Sequence, residues 1–338
     1  MARSDLLINL VRAGVSGDVP TLRRMVEAIV AEERARQHNV VADRLERLLA
    51  TPNGNAAANV NRQAQDVALK ARDFVAEVIP RRQLDDLVLP EVTQLATRQL
   101  IEEQQRASLL RSHSLEPRHR VLLVGPPGNG KTTLAEAIAE SLAIPFFVVR
   151  YELMIGSFLG ETAGRLRRVF DYARTTPCVL FFDEFDAVGK ERGDIHETGE
   201  IKRVVTSLLM QIDDLPSYVV VVAATNHAEL LDRAVWRRFE LRLSLPAPNA
   251  KQLSAFIDRL RDRAKADLGL SPQQITKSLG AVSYSEAEQF CLDLARRQVL
   301  VAGERPAPDI AKEQLRIWAE RVRDSTIEGQ KRAGTSTT

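Results

Sequence analysis

Apolar residues along this chain follow a helical period at both ends and run continuously in the middle, so the sequence divides into a helical start, a mixed centre and a helical end. In residues 5–13 and 21–50 they recur every three or four places. Leu22, Met25, Val26, Ile29, Val41, Leu45, Leu48 and Leu49 fall largely on one side, and the pattern breaks near Gly14 and Gly17. Two such helices joined by a short turn pack as a hairpin, so residues 1–50 are predicted to be a helical N-terminal unit. Residues 51–65 open with Thr51-Pro52-Asn53-Gly54 and continue in Ala, Asn and Gln, the composition of a flexible tether; 66–78 are helix-compatible and end before Pro80. Tether and short helix together occupy 51–80.

From residue 81 onward the period changes. Segments 121–124, 145–149, 178–182 and 218–224 are apolar runs, as in strands buried on both faces, and 239–245 is strand-like. Helix-compatible stretches at 91–112, 134–142 and 163–174 lie among them, which makes 81–248 an α/β unit. Past Pro246 and Pro248 the helical pattern returns at 250–266, 271–279, 285–302 and 309–324, a small all-helical unit over 249–324. Residues 325–338 are polar, carry few apolar side chains and are predicted to be disordered.

The chemistry is concentrated after three of the apolar runs. Gly125-Pro126-Pro127-Gly128-Asn129-Gly130-Lys131-Thr132-Thr133 fits G-x-x-x-x-G-K-[ST] between a strand and a helix. Glycines let backbone N–H groups approach phosphates, Lys131 brings a mobile positive charge, and the Thr132 hydroxyl is placed for Mg²⁺. A nucleoside triphosphate with Mg²⁺ is therefore the expected ligand, held by residues Pro127, Gly128, Asn129, Gly130, Lys131, Thr132 and Thr133. Strand 178–182 ends in Asp183-Glu184-Phe185-Asp186, where Asp183 can hold the metal and Glu184 can polarise the attacking water. Strand 218–224 ends in Thr225-Asn226, whose amide can bond both that water and the terminal phosphate. Segment 231–240 then carries Arg237 and Arg238 side by side, and the planar, permanently charged fork of arginine suits a phosphoryl-transfer transition state.

Together these segments resemble the AAA clade of the AAA+ ATPases: 125–133 its Walker A, 179–184 its Walker B, 224–226 its sensor 1 and 231–240 its second region of homology. The resemblance covers residues 81–323. It implies a parallel sheet sandwiched by helices, a small helical lid over the nucleotide base, and a homo-oligomeric ring, usually a hexamer, with each nucleotide between neighbours. Arg237 and Arg238 would then act on the adjacent subunit's nucleotide. The family commonly separates its two arginines by a Pro-Gly-like pair; here they are contiguous, so either can be the finger. Asn129 stands where Thr or Ala is usual, a position that contributes mainly backbone. Residues 280–285 are a candidate lid contact, and no sensor 2 arginine can be assigned among them. The resemblance also marks Phe158, Leu159 and Gly160, within Ser157-Phe158-Leu159-Gly160-Glu161-Thr162, as a pore loop that grips an extended polypeptide. Residues 190–196 are a second candidate pore segment or an ordinary exposed loop.

Composition changes this picture little. The chain has 338 residues, 44% hydrophobic and 27% charged, and a net charge of +2 gives no reason to expect a nucleic-acid partner. Cys178 and Cys291 are its two cysteines, one in a core strand and one in a helix, so a disulfide framework is not expected and a reducing, cytoplasmic setting is. The N-terminus lacks a sustained apolar stretch, so neither a signal peptide nor a membrane span is expected. A metalloprotease in this sequence is excluded because none of His38, His113, His119, His196 and His227 forms H-E-x-x-H. The leading expectation is an ATPase that remodels a protein client or partner effector recruited through the N-terminal helices. The rivals are a nucleotide-controlled scaffold and a nucleic-acid-associated AAA+ switch.

Overall fold

The strands and helices that carry the motifs form because their residues can be buried on two faces at once. The computed structural model describes residues 19–35, 73–150, 159–186, 198–264, 267–301 and 304–334. The chain divides into two compact units, Met1–Asp66 and Val67–Thr338. In the first, the described residues form one helix, α1 (Val19–Ala35), with Pro20 in its opening turn, where a missing N–H has no consequence. The rest of the helix expected over 21–50, the helix expected over 5–13 and the tether lie outside the described residues, as do Phe158 and segment 190–196.

In chain order the second unit comprises β1 (Val75–Val78), a 3₁₀ turn (Leu84–Asp86), α2 (Glu91–Gln105), α3 (Ala107–Ser112), β2 (Arg120–Val124), α4 (Lys131–Leu142), β3 (Phe146–Val149), α5 (Leu159–Ala173), β4 (Cys178–Phe182) and α6 (Thr198–Asp213). It continues with β5 (Val219–Thr225), α7 (Arg233–Arg238), β6 (Leu241–Ser244), α8 (Ala250–Ala264), α9 (Pro272–Leu279), α10 (Tyr284–Leu300) and α11 (Ala307–Gly334). The sheet order is β1-β3-β4-β5-β2-β6. All pairings are parallel except β1 with β3, which is antiparallel.

Every residue of β4 and β5 is buried. Because successive strand side chains point to opposite faces, Cys178, Leu180, Phe182, Val219, Val221 and Ala223 pack with Leu166, Val169 and Phe170 of α5 and Leu208 and Ile212 of α6. Val179, Phe181, Val220, Val222 and Ala224 pack on the other face with Leu134 and Ile138 of α4 and Leu100 and Ile101 of α2. That two-sided core is the helix–sheet–helix sandwich the sequence predicts. Register then sets the site: Val124 lies opposite Thr225, and Phe182 opposite Ala223, so the loops after β2, β4 and β5 leave the sheet at one end.

Helices α8 to α11 bury a separate core that includes Leu253, Ile257, Ile275, Phe290, Leu294, Ile310 and Trp318. Two capping boxes start its middle helices. Ser271 and Gln274 open α9, Ser283 and Glu286 open α10, and each pair satisfies two backbone N–H groups that the first turn leaves over.

The structure departs from the sequence expectation in four places. Within 66–78, expected to be helical, Val75–Val78 is a strand. Pro80 limits any helix there, and β3 offers Val75 and Val78 a ladder that a short helix cannot match. This edge strand also makes the expected parallel sheet a mixed one. Helix α5 begins at Leu159, so Leu159 and Gly160 are its first residues rather than loop residues. Gly160 and Gly164 each cost the helix about 1 kcal/mol, too little to stop one whose later turns are buried. Finally, the tail expected to be disordered from 325 continues α11 to Gly334. Extending an existing helix needs no new nucleus, and Glu328, Gln330, Lys331, Arg332 and Ala333 are good helix formers.

Candidate functional site

At the sheet end where β2, β4 and β5 finish, a cleft of about 390 Å³ is lined by Pro127 to Thr133, Asp183, Glu184 and Asn226, and closed from the helical unit by Phe256, Arg263, Tyr284, Ser285 and Glu288. The loop after β2 is shaped by its glycines. A Cβ on Gly125 would stand 2.1 Å from the Leu245 carbonyl oxygen, so only hydrogen fits. Gly128 has φ +75°, and a Cβ there would meet the Ser283 hydroxyl at 2.9 Å. The Ser285 N–H donates to the Gly128 carbonyl at 3.0 Å, joining loop and lid directly. Ser283 and Ser285, within 280–285, thus lie against the loop. Gly130 caps α4, whose first-turn N–H groups face outward as an anion site.

Lys131 is buried, and its ammonium donates to the carbonyls of Gly125 at 2.8 Å and Pro126 at 3.0 Å and to Asn226 Oδ1 at 2.6 Å. Burial pushes its pKa below the ordinary lysine value, while the charges of Asp183 and Asp186 pull the other way. The Thr132 hydroxyl donates to Asp183 Oδ2 at 3.3 Å, bringing together one hydroxyl and one carboxylate, the hard oxygens that Mg²⁺ prefers. Asp183 Oδ1 accepts the Glu184 N–H at 2.9 Å. Glu184 is exposed on the cleft with φ +46°, a left-handed conformation that costs a residue with a Cβ about 1–2 kcal/mol. The conformation is imposed from both sides. Phe185 turns into the core, stacks edge-on against Phe182 and Phe239, and its N–H donates to the Ala224 carbonyl at 2.8 Å.

Asp186, which the sequence reading passed over, is buried and accepts the Thr225 hydroxyl at 2.9 Å; that hydroxyl in turn accepts the His227 N–H at 3.0 Å. The network pins the strand end that presents Asn226. Its only sequence signal was a fourth residue in the Asp-Glu-Phe-Asp run. The cleft wall carries no motif of its own in the sequence. Asp86, Leu87, Val88 and Leu89 line one side, and Phe256 and Tyr284 pack edge-on at 4.9 Å on the other. Burial raises the Tyr284 phenol to about 12, with the Arg259 charge opposing, so it stays protonated. Arg263 brings a positive side chain from α8 where 280–285 offered none.

Residues 81–87, in the linker between β1 and α2, are lashed down on both sides. Glu136 of α4 accepts the backbone N–H groups of Arg81 at 2.9 Å and Arg82 at 3.3 Å. Arg259 of α8 donates to the carbonyls of Asp85 at 2.8 Å and Leu87 at 3.0 Å. Arg82 pairs with Glu288 at 4.0 Å.

Arg237 and Arg238 are exposed at the end of α7 and do not line the cleft. A charged cluster lies beside them: Arg120 donates to Asp213 at 3.0 Å and to Glu240 at 2.8 Å, and Glu240 accepts the His119 N–H at 2.9 Å. Burial alone would raise the Glu240 carboxyl, but the bonds from Arg120 and the His119 amide hold it below the usual carboxylate range. Burial pushes the His119 imidazole below the ordinary histidine value, against the pull of Glu240. Both cysteines are buried free thiols, and burial raises each to about 12. No helix among the described residues is long and apolar enough to cross a membrane.

Comparison with known proteins agrees with this geometry. Residues 121–247 match the family described as ATPase family associated with various cellular activities (AAA). The chain is 34% identical over 302 residues to an uncharacterized AAA family ATPase, y4kL, of Sinorhizobium fredii, covering 89% of this chain and 90% of the relative. It is 31% identical over 257 residues to the peroxisomal ATPase pex6 of Schizosaccharomyces pombe, covering 71% of this chain and 27% of that protein. It is 34% identical over 225 residues to the ATP-dependent zinc metalloprotease FtsH 1 of Methylacidiphilum infernorum, covering 58% of this chain and 35% of that protein. The chain therefore spans nearly all of the first relative and a minor part of the other two.

Proposed function

This chain belongs to the AAA family of ATPases, and on that premise we propose that it hydrolyses ATP in the cleft between the sheet end and the lid and uses the energy to remodel a protein client. The observation that carries the reading is the convergence of Lys131, Thr132, Asp183, Glu184 and Asn226, from three separate strand ends, on one cleft. First-turn N–H groups of α4 and the Lys131 ammonium bind the phosphates. Thr132 and Asp183 hold Mg²⁺, which when bound neutralises phosphate charge. Asn226, 2.6 Å from Lys131, is within reach of the same phosphate and orients the water, and Glu184 takes the water's proton. Phe256 and Tyr284 offer an apolar slot suited to the base.

Arg237 and Arg238 act on the nucleotide of an adjacent copy. What supports this is that the cleft holds the phosphate-binding and water-activating groups, while the two arginines lie outside it on a separate helix. Subunits accordingly assemble as a ring, with six copies the expectation. A protein client is favoured over nucleic acid by the near-neutral net charge and by an ATP-dependent metalloprotease among the relatives. Phe158, together with Leu159 and Gly160 at the start of α5, grips that client. Phe158→Ala is expected to abolish stimulation of the ATPase by an unfolded polypeptide; undiminished stimulation would contradict that role.

Glu184→Gln tests the chemistry. It should bind ATP with Mg²⁺ and fail to turn it over, and a pull-down with this trap should retain the client. Hydrolysis at the wild-type rate would remove Glu184 from the role of base.

A further inference from the structure

The two contiguous arginines are held differently. The Arg238 guanidinium is ion-paired with Asp213 at the end of α6, and the second oxygen of Asp213 accepts Arg120 at 3.0 Å. Arg120 in turn reaches Glu240 at 2.8 Å, and the Glu240 N–H donates to the Arg120 carbonyl at 3.0 Å. Arg238 is thus the outer rung of a ladder, Arg238–Asp213–Arg120–Glu240, that ties the end of α7 to α6 and β2. The Arg237 side chain forms no hydrogen bond or ion pair among the described residues.

The backbone on both sides of Arg237 is fixed. Val235 is buried in the core. The Trp236 carbonyl accepts Arg242 Nη2 at 2.7 Å and Nε at 3.1 Å, and the same guanidinium lies 5.7 Å from the centre of the Trp236 ring. Phe239 is 1% exposed and meets Phe185 edge-on at 5.7 Å. A side chain without an internal partner, set between anchored neighbours, is what delivery to a second molecule requires. Its base is rigid, so less freedom is lost on contact, and no internal ion pair must break first.

We infer that the pair divides its roles: Arg237 is the arginine delivered to the neighbouring copy's phosphates, and Arg238 is a positioning residue that fixes α7 through Asp213. The inference rests on the shared-site reading above and goes beyond it. The tandem Arg-Arg is one finger and one strut, so the missing two-residue spacer removes no catalytic group. Because Phe239 of the same segment packs on Phe185, the residue after Glu184, the strut also sets the finger relative to the neighbouring seam from the body that carries this chain's own base.

The test is steady-state ATPase with the full chain for Arg237→Ala, Arg238→Ala, Arg238→Lys, Asp213→Asn and the Arg238→Ala/Asp213→Asn double variant, each checked for folding by circular dichroism. Arg237→Ala should lose about 10³-fold or more in kcat, the scale of a finger, with KM little changed. Arg238→Ala and Asp213→Asn should each lose about 10-fold, the double variant no more than either single one, and Arg238→Lys should recover most of the activity; non-additivity is the mark of a shared contact. Arg233→Ala, one turn earlier on the same helix, is the control and should behave as wild type. A loss in Arg238→Ala as large as in Arg237→Ala, with Asp213→Asn fully active, would overturn the division. Wild-type kcat in both arginine variants would instead fell the shared-site reading, and this inference with it.

Discussion

Each residue of the cleft has a cost set against its chemistry. Lys131 keeps a charge in a buried position because Asp183 and Asp186 face it and three oxygens accept its protons. Lys131→Ala removes that charge from the phosphate site and should weaken ATP binding by about 100-fold or more, equivalent to ~3 kcal/mol, measured by calorimetry. Affinity within a few-fold of wild type would place the phosphates elsewhere. Glu184→Gln should leave affinity intact while kcat falls by about 10²–10⁴-fold. Away from the cleft, His119 and Glu240 make the fold sensitive to acid. Both have folded-state pKa values below their ordinary ones of 6.5 and 4.5. The unfolded chain therefore binds more protons as pH falls through 6.5, and stability drops; the Glu240 contribution, present above 4.5, is lost lower still. Thermal unfolding between pH 7.5 and 5.5 should show a falling Tm in the wild type and a flatter profile in His119→Asn. An equally steep profile in the variant would assign the effect to other groups.

Among the elements, those with one dominant signal were legible in the sequence. Strand β4 matches the predicted 178–182 residue for residue because five continuous apolar residues between a turn and an acid admit no other reading. The loop after β2 was legible because Gly125, Gly128, Gly130 and Lys131 are each required by backbone shape or charge. What the sequence hid are contacts made across distance. Val75–Val78 is a strand through pairing with β3, about seventy residues away, and nothing local says so. Arg82, Arg259 and Arg263 look like any surface arginine until the lid is folded over the linker. Arg259 ties α8 to the segment that walls the cleft, so lid position and nucleotide fit are coupled. Arg259→Ala is expected to raise KM for ATP by several-fold while kcat changes less, since the phosphate-binding residues are untouched; an unchanged KM would show that this clasp does not shape the site.

For the molecule as a whole, the α/β core and the helical unit after it gather Lys131, Thr132, Asp183, Glu184 and Asn226 around one cleft that Arg237 does not line. Under the function proposed above, one reaction joins two copies, and a ring is the assembly that reading requires. The most direct measurement mixes Lys131→Ala subunits with Arg237→Ala subunits and follows ATPase rate across mixing ratios. Each variant alone should be nearly inactive, and mixtures should regain activity with a maximum near equal proportions, where intact clefts meet intact fingers. Mixtures no more active than the two variants apart, at every ratio, would contradict a site shared between copies.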